Sequence, residues 1–260
     1  MVEDVVKCVK RQGLQKKFSL KNLIQKCSKL FLRLVLGSPL LGNRKRNKIV
    51  ISILLKTINQ TVQTNFREKG SKFVGYLFPA ASVESFDAQL HEIKSDHPAA
   101  THHCYGWRLH PNKIEEFAQD DGEPTGTAGL PILNNLKSYE AVNCGCVVVR
   151  YYGGTKLGKS GLIQAYGRSA KLCLQKSSLL RLIPTKNFQI SYPYDQQKHI
   201  NQLKNSFDLK EIEAEYLEKV TLEIACRSNQ AEALDDALKK LSHKGIETET
   251  LGDGFITMQT

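Results

Sequence analysis

The chain has 260 residues, a formal net charge of +11 and 7 cysteines. That length suits one large or two small domains, and an apolar share of 41% is enough to bury a sizeable core. An odd number of irregularly spaced cysteines argues against a secreted disulfide framework and for a reducing, cytoplasmic compartment.

The charge is distributed unevenly. Residues 1–50 hold 13 Lys/Arg and 2 acids, so they account for the whole excess. Residues 51–260 hold 24 of each sign and are neutral. A nucleic-acid surface on that larger part therefore needs a local patch. No apolar run approaches the roughly 20 residues of a membrane span. The nearest, Leu30 to Leu41, contains Arg33, Gly37 and Pro39.

Residues 1–52 read as a basic extension. Leu20, Leu23, Ile24, Cys27, Leu30, Phe31 and Leu34 have helical spacing, which suits a targeting peptide or a basic arm. A disordered tail, or sequence upstream of the true start, fits equally well. From Leu54 the pattern predicts a strand to Phe66, a turn at Gly70 and a second strand, Lys72 to Phe78. Ser82 is an expected N-cap for a helix carrying Val83, Phe86, Leu90 and Ile93. Thr101 to Leu109 reads as a strand, and residues 110–124 as a polar loop. A short helix follows through Leu136. Val147 to Tyr152 is a buried strand, followed by a glycine-rich turn and a helix from Ser160 to Lys176. Gly167 and Ala170 are expected to let that helix approach a sheet.

Pro184 marks the expected domain boundary, dividing 53–183 from 184–260. Beyond it the order is strand (Phe188–Tyr194), helix (Asp195–Ser206), two strands (Leu209–Tyr216, Val220–Cys226), helix (Asn229–His243) and strand (Phe255–Met258). Asn229 with Glu232 resembles a capping box. This βαββαβ order is the ferredoxin-like plan, so the expected class is α+β with two domains.

Three clusters invite chemistry. Gly153 to Ser160 fits GxxxxGK(S/T), a phosphate-loop pattern between strand and helix. A nucleotide hydrolase also needs a strand ending in a magnesium-binding Asp. Ile190 to Asp195 is the nearest candidate, and Pro193 spoils it. A tight turn explains the glycines without a ligand. Asp120-Asp-Gly-Glu-Pro-Thr-Gly-Thr-Ala-Gly129 offers three carboxylates that suit a hard cation, or the positive end of the following helix, or a partner. His102-His-Cys104 and Cys144-Gly-Cys146 suggest zinc. Neighbouring strand residues point to opposite faces, however, and no CxxC pair exists. A Cys104–His nucleophilic pair stays open without an orienting partner. No metal or other cofactor is expected, and no catalytic residue is assigned. Trp107 suits base stacking or a core anchor.

Taken together, His102-His-Cys104, the Asp120–Pro131 motif, Arg150-Tyr-Tyr-Gly-Gly-Thr-Lys-Leu-Gly-Lys-Ser-Gly-Leu162 and Ala165-Tyr166 resemble the IMPACT family, in its bacterial YigZ-like branch. The resemblance covers about residues 55–260. It implies an N-terminal domain similar to domain IV of elongation factor G and a C-terminal ferredoxin-like domain similar to domain V. The family pattern requires the glycines but not Lys159 and Ser160, so the phosphate-loop match is incidental. Eukaryotic members are linked to translational control through a partner of a stress-sensing kinase.

The expected function is a translation-related regulatory binding protein that contacts RNA, the ribosome or a translation or stress-response factor. Arg150, Lys156, Lys159 and Arg168 would face phosphates. His102, His103, Tyr151 and Tyr152 would supply hydrogen bonds and stacking. Gly153 and Gly154 would shape the turn. Asp121, Glu123 and Thr127 would orient Arg150 or meet a partner. The alternative is a metal-assisted hydrolase or transferase using the Asp120–Glu123 carboxylates.

Overall fold

A computed structural model describes residues 54–259. The basic extension 1–52, with its Leu20–Leu34 pattern, lies outside the described residues. Two five-stranded sheets and five α-helices make up the rest.

The first sheet runs β2 (Val62–Glu68), β3 (Ser71–Pro79), β6 (Cys144–Tyr151), β4 (His102–Leu109), β5 (Glu115–Gln119) across its width. Every neighbouring pair is antiparallel. β6 is central and buried along almost its whole length, as its unbroken Cys-Gly-Cys-Val-Val-Val run requires. Because β6 is antiparallel to both neighbours, it does not resemble the parallel central strand of a nucleotide-hydrolysing fold.

Strand alternation sends side chains to two different layers. Phe73, Leu77, Cys104, Cys146 and Val148 face α2 (Gly129–Ser138) and α3 (Gly158–Lys176). Val74, Phe78, Leu109, Val147 and Val149 face α1 (Val83–Asp96). The capping box of α1 joins Ser82 and Ser85 reciprocally. Gly167 lies against Asn135 and Pro131 of α2, so it admits a helix and not the sheet.

The loop expected over 110–124 contains strand β5. Its residues are mostly exposed, so no apolar alternation announced it. Backbone pairing to β4 holds it, and Glu116 pins it to Arg108 at 2.9 Å and to Lys137.

The second sheet contains β7 (Leu180–Tyr192), β8 (Lys210–Tyr216), β9 (Val220–Arg227) and β10 (Glu247–Gln259), ordered β10-β7-β9-β8. α4 (Gln197–Phe207) and α5 (Ala231–Leu241) cover one face, which completes the βαββαβ order. β7 begins well before the expected Phe188. Pro184 sits inside it, between the stretches paired to β1 (Lys56–Thr57) and to β9. A proline is tolerated there because its missing N–H has no ladder partner to lose. β10 is longer than expected for a related reason: a bulge between Thr250 and Gly252 absorbs the turn-like Gly-Asp-Gly and lets pairing resume. The Asn229 cap is not formed. α5 starts after Gln230, whose N–H turns back to Arg227, and no side chain caps it.

A small cluster of Leu55, Val142, Leu182 and Phe255 connects β1 and the start of β7 to the first sheet. Lys56 donates to Glu140 and accepts from Val142.

One glycine tests the α1 interface. A Cβ at Gly145 would lie 2.3 Å from the Phe86 ring. Gly145→Ala is expected to cost about 1–3 kcal/mol in urea unfolding. Adding Phe86→Leu should cost less in that background than in wild type, because the smaller side chain relieves the clash.

Candidate functional site

The site is built where β6 ends. Arg150 is 4% exposed and Glu123 is 9% exposed. Arg150 Nη1 donates to Glu123 Oε1 at 2.5 Å. The Tyr166 hydroxyl on α3 donates to the same oxygen at 2.7 Å. Arg150 Nη2 donates to Ser71 Oγ at 3.3 Å, and that hydroxyl also accepts from Gly153 N at 3.2 Å. The guanidinium carbon lies 5.6 Å from the Phe73 ring and 5.5 Å from the Tyr152 ring. Arg150 Nε is buried without a hydrogen-bond partner among the described residues.

The Asp120 motif supplies the other half. Asp121 and Gly122 both have positive φ, at 44° and 85°. They form a tight turn closed by Glu123 N donating to Asp120 O at 3.0 Å. Asp and Gly are residues that tolerate this backbone. Asp120 Oδ1 accepts from Ala128 N and Gly129 N, and Oδ2 from Gly126 N, all within 3.0 Å. Asp120 thus caps α2 from eight residues upstream, where its charge meets the positive helix end. Ala128 precedes the helix and has no capping side chain of its own. Thr127 is buried and its hydroxyl donates to Pro124 O at 2.6 Å.

His102 and His103 go to opposite faces. His102 Nδ1 lies 2.7 Å from Asp121 O, and its Nε2 is 3.9 Å from Glu123 Oε1. His103 N donates to Asp121 Oδ2 at 2.6 Å, while its ring Nε2 lies 3.2 Å from His97 O. Burial holds the His103 imidazole below its ordinary value, against the Asp121 carboxylate, which raises it. Tyr151 shares the His103 side of the sheet. Its hydroxyl is 2.7 Å from His97 Nδ1, and His97 Nε2 is 2.6 Å from the Tyr76 hydroxyl.

Cys104 donates its thiol to Asp120 O at 2.9 Å. Burial drives that thiol well above its ordinary range, and the charges of Glu123, Asp121 and Asp120 add to the rise. A thiol held protonated is a poor nucleophile, so the geometry does not favour a Cys104–His pair. Each carboxylate of the motif already accepts from a structural donor. Among the described residues, no group of three or more His, Cys, Asp or Glu is arranged to hold a metal ion.

The glycine turn is fixed by contact between two backbones. A Cβ on Gly153 would lie 2.0 Å from the carbonyl carbon of Gly70. The β2–β3 hairpin, with Lys69 and Gly70 at φ 45° and 82°, therefore presses directly on the turn. Gly154 and Gly158 have positive φ and open space around them. Tyr152 is 47% exposed and its hydroxyl donates to Gly154 O at 2.7 Å. Lys156 and Lys159 are exposed, Lys159 in the first turn of α3. Arg168 lies further along α3, 4.7 Å above the Phe66 ring and 3.7 Å from Glu68.

The structure brings Arg150, Glu123, Asp121, His102 and Gly153 into one network and leaves Lys156 and Lys159 on its rim. Tyr151 and His103 fall behind the sheet from Arg150, and Arg168 stands apart beside Phe66. Ser71, Asp120 and Tyr166 complete the network; the sequence offered Asp120 only as one of three candidate carboxylates and Tyr166 only as part of the family pattern. Asp120 opens the first motif and Tyr166 belongs to the Ala165-Tyr166 pair just past the second, which is a usable signal. Ser71 carries none, because only the hairpin brings it to Arg150.

Glu123→Gln should destabilise the protein by about 3–5 kcal/mol in urea unfolding, because it leaves Arg150 as an unpaired buried charge. Tyr166→Phe should cost about 1–2 kcal/mol. The His103 shift sets a pH dependence. Its folded value is lowered, so the unfolded chain binds the proton more readily. The stability contributed by the neutral ring is complete above about pH 6.5 and is lost as pH falls towards the folded value. His103→Gln should flatten that decline in chemical denaturation series.

Residues 69–174 match the family described as the Impact N-terminal domain. The IMPACT family member YigZ of Escherichia coli (strain K12) is 35% identical over 159 residues, covering 60% of this chain and 78% of that protein. An IMPACT family member of Haemophilus influenzae is 32% identical over 190 residues, covering 72% and 91%. The IMPACT family member YvyE of Bacillus subtilis (strain 168) is 34% identical over 175 residues, covering 66% and 80%. A solved structure described as that of a hypothetical protein aligns with a TM-score of 0.55 at 30% identity, over 75% of this chain and 95% of that one. The motifs that build the Arg150–Glu123 network lie within the matched region, and the chain belongs to the IMPACT family, in its YigZ-like branch.

Proposed function

We propose that this protein is a translation-related regulatory binding protein that contacts RNA, on the ribosome or free, through the rim of the glycine turn. One observation carries the reading: two turns locked backbone to backbone carry exposed Lys69, Lys156 and Lys159 beside the exposed ring of Tyr152. Lysines on a preorganised turn suit phosphates, and an exposed aromatic suits an unpaired base. In this reading Lys156, Lys159 and Arg168 face phosphates. Tyr152 stacks, while His102, His103 and Tyr151 line the two flanks. Arg150, Glu123, Asp121 and Thr127 hold the loops in place, with Gly153 and Gly154 shaping the turn.

The proposal includes a cytoplasmic location, which the five free, buried cysteines among the described residues support. It also includes a division near Pro184 into two domains similar to domains IV and V of elongation factor G. Separate residue sets form the cores on either side of that point, which supports the division. No helix among the described residues is long and apolar enough to cross a membrane. A translation-associated protein is the other partner that this rim could meet. No observation favours the hydrolase or transferase alternative, since the three carboxylates serve structural donors.

Fluorescence anisotropy with labelled single-stranded RNA tests the reading. The full chain should bind at low salt, and Lys156→Glu with Lys159→Glu should weaken binding at least tenfold. If both lysines meet phosphates, the double variant should also flatten the slope of log affinity against log salt by about 1.4. Equal affinity of the double variant and wild type would overturn RNA binding at this rim.

A further inference from the structure

The outer edge of the first sheet takes no part in the site described above. β4 and β5 place Trp107 opposite Phe117 in register. Their rings stack at 5.7 Å with planes 22° apart. Tyr105 extends the row at 6.1 Å from Phe117, and Phe86 of α1 closes it at 5.2 Å from Tyr105. Phe117 is 43% exposed, and Ile114, just before the strand, is 36% exposed. β5 is the last strand of its sheet, so its outer backbone edge has no ladder partner among the described residues. Tyr105 and Trp107 are half-buried and Phe86 is buried, so Phe117 is the exposed end of the row. An exposed aromatic residue on an open strand edge is a feature that proteins usually cover.

The charge around the row is mostly of one sign. Glu115 lies two residues from Phe117 and so shares its face. Glu84 and Asp87 are exposed near the start of α1. Asp87 follows Phe86, whose ring lies 5.2 Å from Tyr105. Burial raises the Tyr105 phenol above its ordinary value, and the Asp87 and Asp121 carboxylates add to the rise. Arg108 belongs to the opposite face and is occupied by Glu116, as is Lys137. His110 and Lys113 precede the strand in the connecting loop. Aromatic faces bordered by carboxylates suit an ammonium or guanidinium group. An open strand edge suits an extended backbone, with alternate side chains read by the face beneath.

We propose that the β5 edge docks an extended, Lys/Arg-bearing segment of a partner protein, with a cationic side chain seated over the Trp107–Phe117 rings. Backbone pairing with β5 sets the direction of the segment. Every second side chain then falls on the aromatic face, between Glu115 and Asp87. Charge complementarity selects this occupant over a nucleic acid, whose phosphates would meet carboxylates of the same sign. The surface is separate from the lysine rim, so this proposal and the RNA reading stand or fall independently.

Trp107 is the single tryptophan of the chain, so its emission reports on the site directly. The probe is a ten-residue alternating Arg–Thr peptide, acetylated and amidated, titrated into the full chain. An alternating Glu–Thr peptide is the control. The Arg–Thr peptide should change Trp107 emission saturably and the Glu–Thr peptide should not. Phe117→Ala should weaken the response about fivefold. Glu115→Gln with Asp87→Asn, both at exposed positions, should weaken it similarly and carries the test if the Phe117 variant does not fold. No emission change up to millimolar Arg–Thr peptide, or an equal response to both peptides, would overturn the proposal. So would unaltered affinity in both sets of variants. Emission that shifts with protein concentration alone would replace the peptide with a second copy of this chain.

Discussion

A buried ion pair constrains the end of the first sheet where β6 meets the glycine turn. Arg150 and Glu123 leave water together, and that transfer is unfavourable unless the remaining donors and acceptors find partners. Tyr166 serves Glu123 Oε1 and Ser71 serves Arg150 Nη2, while Arg150 Nε keeps no partner among the described residues. Four segments consequently have to meet at one point: the end of β6, the Asp120 motif, α3 and the β2–β3 hairpin. Removing any partner leaves a charged group buried with fewer contacts. The pair is therefore less a source of net stability than a condition on geometry, since it is tolerable only when all four segments are in place.

The consequence is a rigid frame beneath an exposed rim. Ser71 Oγ serves Arg150 on one side and Gly153 N on the other, so the ion pair and the glycine turn share one hydroxyl. Gly153 then packs on Gly70 closely enough to exclude any Cβ. The lysines on either side of this contact project from backbone that has little freedom, which lowers the conformational entropy lost on binding an anion. Strand alternation separates Arg150 from Tyr151. The first joins the α2–α3 layer, and the second joins His97 and Tyr76 behind the sheet.

Much of the fold was legible in the sequence. Ser82 announced α1, the unbroken valine run announced β6, and the helix expected over Asn229–His243 contains α5. The misses have physical causes. β5 is an exposed edge strand rich in carboxylates, so it carries no hydrophobic alternation. The start of β7 was hidden by Pro184, whose missing donor is harmless only because the partner strands change at that position. Gln230 replaced Asn229 at the start of α5 because a turn from Arg227 takes up the residues before it.

The candidate site divides in the same way. By itself the sequence determined the two motifs, and local rules suffice for them. Asp121-Gly122 prescribes a turn with positive φ, and a glycine-rich link between strand and helix prescribes an exposed loop. Only the tertiary structure decided which carboxylate does what. Asp120 caps a helix eight residues away, Asp121 holds β4, and Glu123 neutralises Arg150. It also decided that Arg150 is buried while Lys156 and Lys159 are exposed, although all three are cations within ten residues. The reason is that burial depends on what packs against a strand from elsewhere in the chain. Ser71 and Phe73 meet Arg150 and Tyr166 meets its partner Glu123, and no spacing within the motif specifies them.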